Sequence, residues 1–248
     1  MLPTTIDGVL EELDRTIATA RQDESRLGYF PALYRKVTAS VQQGIVDGRF
    51  EDGERMERLD VIFANRYLDA IGKLRAGEAP SRSWAIAFEA AASRRPIVLQ
   101  HLLLGMNAHI NLDLGIAAAR AAPGSELAGL HGDFNTINDV LGELVDGVKD
   151  ELTVVWPKLA LLDRLSGPAD DAIANFSMGA ARDLAWKTAT KLAPLSHQQQ
   201  RPLIAQSDRR VEILGRVIWK PGLVARAVGA FIRLGERGTV REIIDLLA

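Results

Sequence analysis

PIVLQHLLLGMNAHINLDLGIAAA, residues 96–119, constrains this chain more than any other stretch. Its apolar residues fall on most sides of a helical wheel, and a helix that is apolar nearly all round has to be buried nearly all round. Between 97 and 119 the only formally charged side chain is Asp113. The segment is expected to be the central helix of a bundle, running from about 96 to 121 and stopped by the Pro-Gly-Ser at 123–125. Gln100, His101, Asn107, His109, Asn111 and Asp113 interrupt it, so it reads as a core helix and not as a membrane span.

The flanking segments share its period. Ile6, Val9, Leu10, Leu13 and Ile17 line one face of a helix over 5–22, with Thr5 or Asp7 as cap. Pro31 suits the first turn of a helix over 31–46. Asp-Gly pairs mark 46–53 as loop, and a helix from about 54 to 75 carries Leu59, Ile62, Phe63, Tyr67, Ala70 and Ile71 at spacings of three and four. Ser81 or Ser83 can cap a short helix over 84–93. Further helices are expected over 125–152 and over 169–193, the latter capped near Asp170. Two or three more fill 198–247, broken at Lys220-Pro221-Gly222 and at Arg237-Gly238. No stretch keeps a period of two and no turn signal joins alternating strands, so the fold is expected to be an all-α single-domain bundle of about nine or ten helices.

Composition narrows the chemistry. Without cysteine there is no thiolate nucleophile and no sulfur-ligated metal, so a metal would have to use His, Asp, Glu or water. With 30 basic and 32 acidic residues the chain has no global field for nucleic acid, which is not expected as a partner. The N-terminal stretch lacks the layout of a secretory signal, so a cytoplasmic location is expected.

The polar residues of the apolar helix divide into two strips. At about 100° per residue, and counting from His101, Gly105 lies at roughly 40°, His109 at roughly 80° and Asp113 at roughly 120°. Gly105 would leave a gap between the two rings. Gln100, Asn107 and Asn111 form a second strip on another side, suited to joining helices. Buried polar groups left unpaired cost about 1–3 kcal/mol each, so these need partners. Three kinds remain open: a structural network, a ligand pocket, or a divalent metal such as Zn, Fe or Mn on His109 and Asp113. Catalytic candidates are His101, His109, Asp113 and Arg182, and substrate contacts are expected from Asn107, Asn111, Arg66, Tyr67 and Trp186. Arg66, in an otherwise core-like helix, is the expected partner of Asp113. Further polar groups are Asn65, Glu89, His131, Asp133, Asn135, Asn138, Asp139, Asn175 and His197, with His197 expected to be exposed.

From residue 201 the composition shifts, with nine Arg or Lys against five acids. Residues 201–248 are expected to form basic amphipathic helices packed on the bundle of residues 1–200, with membrane-surface contact as the other role for such a tail.

The segments ERMERLDVIFANRYLDA, LQHLLLGMNAHINLDLGIAAA, DFNTIN and ARDLAWKTA, with Trp84 and Phe88 between the first two, resemble an uncharacterised bacterial and fungal domain-of-unknown-function family, number 5995 in that series. The resemblance covers roughly 29–195 and implies a helical domain without implying an activity. A fainter likeness to helical zinc-dependent phospholipases C and nucleases fails at position 105, which is Gly, and at the missing amino-terminal tryptophan. Ferritin-like di-iron proteins need a Glu-x-x-His that is missing here.

The function read from these residues is an enzyme acting on a small metabolite in a buried pocket lined by His, Asp and Asn, by metal-assisted hydrolysis or proton transfer. The alternatives are a non-catalytic module for a small molecule or lipid, and a structural bundle with a buried polar network. The oligomeric state is not legible.

Overall fold

A computed structural model describes residues 1–137, 178–222, 229, 233, 235–236 and 238–248. Among them the chain is all helical, with no strand, and forms a single-domain bundle. Helices α1 (Ile6–Gln22), α2 (Tyr29–Val46), α3 (Gly53–Arg75) and α4 (Arg82–Ala91) precede the central α5 (Val98–Ala121). A further helix, α6, starts at 127 and is described to 137; α7 (Met178–Leu192), α8 (His197–Trp219) and α9 (Val240–Leu247) follow. The ends form where the sequence supplies caps. Thr5 accepts from Gly8 N, Asp52 from Arg55 N and Ser81 from Trp84 N, while Ser196 with Gln199 and Thr239 with Glu242 form capping boxes.

The apolar character of α5 sets its place. It is long and apolar enough to cross a membrane, yet 89% of its most apolar window is buried among the other helices. Helices α2, α4 and α8 pack on its N-terminal half, and α3 and α7 on its C-terminal part. The contact with α7 is backbone-close: a Cβ on Gly115 would stand 2.6 Å from the Ala185 carbonyl oxygen, so no larger residue fits there.

α5 is not uniformly α. His109–Leu114 is a π turn. Such a turn carries about one extra residue, which rotates everything beyond it by roughly 100° relative to a plain α-helix. The single strip expected from His101 to Asp113 is therefore broken.

The composition shift at 201 falls inside α8, which runs unbroken through it and lies on α4 and α5. Helix α9 lies on α1 and α2, tied by the Arg21–Asp245 ion pair at 2.5 Å. Part of the expected helix over 125–152, the cap near Asp170, and Asn138, Asp139 and Asn175 lie outside the described residues.

Candidate functional site

Buried polar groups in this bundle fall into three sets, which the tertiary packing sorts differently from the sequence strips. The first is structural. Gln100 accepts from Ile97 N and donates to the Ile218 carbonyl at 2.7 Å. Asn107 donates to the Val211 carbonyl at 3.0 Å, and Asn111 donates to Asn107 Oδ1 at 2.9 Å. Gln100 and Asn107 thereby join α5 to α8, while Asn111 braces Asn107 from the next turn of α5; Asn107 and Asn111, expected to contact substrate, are engaged in this pairing. Asp208 accepts from the amides of Arg82 and Ser83 and from the Ser83 hydroxyl, fixing the start of α4. Asp133 accepts from Glu51 N, Asp52 N and Arg55 Nη2, clamping the loop before α3. Asn65 donates to the Pro3 carbonyl, and His131 meets Asn135 at 3.4 Å; Glu89 and His197 are exposed.

The second set centres on Asp113. Arg66 Nε donates to its Oδ1 at 2.5 Å, the pairing expected from sequence, and Trp84 Nε1 donates to its Oδ2 at 2.8 Å. Burial alone would raise this carboxyl, but Arg66 foremost outweighs burial and holds it below the usual carboxylate range. His109 Nδ1 stands 3.6 Å from Asp113 Oδ2, beyond hydrogen-bond length. With both Asp113 oxygens engaged by Arg66 and Trp84, the pair does not fit a metal. Among the described residues no three His, Asp or Glu side chains gather to hold one.

The third set lies around a cavity. A cavity of about 270 Å³ lies between α2, α3, α5 and α7, walled mainly by Leu, Val, Ile, Met and Phe. Its polar lining among the described residues is Tyr34, Asp60, His109 and Arg182. His109 sits in an aromatic nest: its ring stacks on Phe63 with centroids 3.6 Å apart and planes 7° apart, and meets Tyr34 edge-on at 4.5 Å and Phe30 at 5.5 Å. Neither ring nitrogen has a hydrogen-bond partner. Burial lowers its pKa more than Asp113 raises it, so the ring is neutral at pH 7, with one N–H to donate and one lone pair to accept. Asp60 is 6% exposed with Oδ2 unpartnered, and burial, aided by Glu57, pushes its carboxyl up to about 7. The Tyr34 hydroxyl is buried without a partner, and burial raises it well above its usual value.

Arg182 is 5% exposed. It donates to the Phe134 carbonyl and lies over the Phe134 ring at 4.4 Å, while its Nε has no acceptor.

Other expected site residues lie elsewhere. His101 borders a separate void of about 20 Å³, edge-on to Tyr29 at 5.7 Å, with both nitrogens unpartnered and its pKa driven down to about 3 by burial. The gap expected at Gly105 is closed: a Cβ there would stand 2.4 Å from Phe30 Cδ2, so the glycine admits Phe30 and not a ligand. Tyr67 packs on Phe30 and Trp84 beside that smaller void. Trp186 packs on Phe134 at 5.0 Å and His131 at 4.6 Å, away from the larger cavity's described wall.

Asp60 and Tyr34 escaped the sequence reading. Asp60 had a signal: it falls one turn after Met56 and one before Ala64, inside the buried stripe of α3. Tyr34 had none, because a tyrosine on a core face is ordinary.

Comparison with known proteins adds one finding. The model of a family described as "Family of unknown function (DUF5995)" matches residues 6–221, which takes in α8 as well as the segments quoted above. No curated protein and no solved structure matches the chain.

Proposed function

The chain belongs to the DUF5995 family of unknown function, and from that premise we propose that it is a small-molecule-binding protein whose ligand occupies the cavity between α2, α3, α5 and α7. The observation that carries this reading is His109: a neutral imidazole, fully buried on the cavity wall, with both nitrogens unpartnered. Buried polar groups are almost always hydrogen-bonded, and a ligand would complete this one. At about 270 Å³ the cavity lies just under the usual range of roughly 300–1,000 Å³ for small-molecule sites, so the ligand is compact or a chain of moderate length. Its body is apolar, as the wall is, with a hydrogen-bonding group at His109.

A second reading, proton transfer on the bound molecule, is favoured by one observation. The Asp60 carboxyl, pushed up to about 7, would exchange a proton at neutral pH beside a neutral His109. Binding is the better supported of the two. Asp113 is turned to Arg66 and Trp84 and stands 3.6 Å from His109, so it does not orient the imidazole as a base. Metal-assisted hydrolysis finds no support in a carboxylate already engaged on both oxygens.

Titration of the full chain with N-phenyl-1-naphthylamine, a neutral apolar fluorophore, tests the binding reading. One saturable site per chain is expected, lost when Met106→Trp fills the cavity. Absence of saturable binding, or equal binding by the filled variant, would overturn it.

A further inference from the structure

Among the described residues each ionised side chain buried within this bundle meets a close compensating group, with one exception. Asp113 has Arg66 at 2.5 Å, Asp133 has Arg55 at 2.7 Å, and Asp208 has two backbone amides and a hydroxyl. Asp60, the other buried acid, can shed its charge by keeping its proton. Arg182 has no such recourse. Burial lowers its pKa only to about 10, so the guanidinium stays charged at neutral pH. Among the described residues no carboxylate lies within ion-pair distance of it. The neighbouring Asp183 charge, a carbonyl and a ring face compensate it in part, and its Nε–H is left buried with no acceptor. A buried charge without a close ion-pair partner is among the costlier features a fold can carry. This one stands on the wall of a cavity whose described lining is otherwise almost wholly apolar.

We propose that the cavity takes an anionic amphiphile, an apolar body ending in a carboxylate or similar monoanion, and that Arg182 holds the anionic end. This rests on the binding reading above and specifies its ligand class. Arginine suits the task, because its planar donors match a carboxylate and a dry site strengthens the pair. The Phe134 carbonyl and ring hold the guanidinium in place at the cavity wall. The apolar wall, with Phe63, Leu103, Met106 and Ile110 among its residues, takes the rest of the molecule.

Decanoate and decan-1-ol, which share a chain and differ in charge, separate the possibilities. Each is titrated against the full chain at pH 6.5 by displacement of N-phenyl-1-naphthylamine. Decanoate is expected to bind at least about tenfold more tightly than decanol to the wild type. Arg182→Met is expected to erase that preference while leaving decanol affinity unchanged, and Arg182→Lys to keep part of it. Equal affinities in the wild type, or a preference that survives Arg182→Met, would overturn the assignment of Arg182 while the cavity reading stands. If neither compound displaces a fluorophore that the wild type binds and Met106→Trp does not, the anionic-amphiphile assignment fails while the cavity reading stands. Should Arg182→Met not fold, Arg182→Lys takes its place, and a preference it leaves undiminished would overturn the assignment.

Discussion

Arg66 Nε donates to Asp113 Oδ1 across 2.5 Å, from α3 to the middle of α5, and this pair controls what the buried polar helix can do. It neutralises the one acidic charge on α5 and, with Trp84, turns the carboxylate away from His109. Removing one partner strands the other. Asp113→Ala is expected to destabilise the fold by about 3–5 kcal/mol in urea unfolding, and Asp113→Asn by less. The double variant Arg66→Met, Asp113→Leu is expected to recover most of the loss. An Asp113→Ala variant as stable as wild type would show that the pair carries no structural weight.

His109→Phe keeps an aromatic ring in the nest of Phe30, Tyr34 and Phe63, so the melting temperature should change by only a few degrees. Decanol affinity should fall about three- to tenfold, the worth of one neutral hydrogen bond. Unchanged affinity would remove His109 from the site.

Asp60 gives the stability a particular pH dependence. Between the ordinary carboxylate value of 3.8 and about 7, the unfolded chain has lost this proton while the folded chain retains it. The folded state therefore binds more protons, and stability falls as pH rises through that window, by at most about 4 kcal/mol, before levelling off. Asp60→Asn should remove this fall in urea unfolding measured from pH 4 to pH 8. The groups the Asp60 charge feels are Glu57 on its own helix and Tyr34 from α2. Once ionised, Asp60 also opposes an anion in the cavity, so decanoate should bind more weakly at pH 8 than at pH 6, and equally at both in Asp60→Asn.

His101 acts at the acid end. Its ring stays neutral in the fold down to about pH 3, while in the unfolded chain it protonates near 6.5. Its contribution is present above 6.5 and is lost as pH falls toward 3, by about 4–5 kcal/mol at most. His101→Phe should flatten that acid limb and leave decanoate binding intact, since His101 borders only the small void. A binding loss in this variant would return His101 to the site.

Gly105→Ala places a methyl 2.4 Å from Phe30. The gain in helix propensity, about 1 kcal/mol, should be outweighed by overpacking of about 1–3 kcal/mol, giving a lower melting temperature. A more stable variant would mean that Phe30 can step aside and that the gap is usable space after all.

The sequence by itself determined that this protein is an all-helical bundle built around residues 96–121. Periodicity, caps and an all-round apolar surface are local properties, and they act before any partner is chosen. It also made Arg66 the partner of Asp113, because a lone charge on a core face has to find the opposite charge on another. What only the tertiary structure decided is which polar groups are left over. The π turn that begins at His109 took Asp113 out of the phase an ideal helix gives, and Phe30 took the space above Gly105. Asn107 was drawn to α8 with Asn111 bracing it, and Asp60, Tyr34 and Arg182 came to share a wall with His109. A candidate site of this kind consists of hydrogen bonds not made, and that depends on every helix that packs around it.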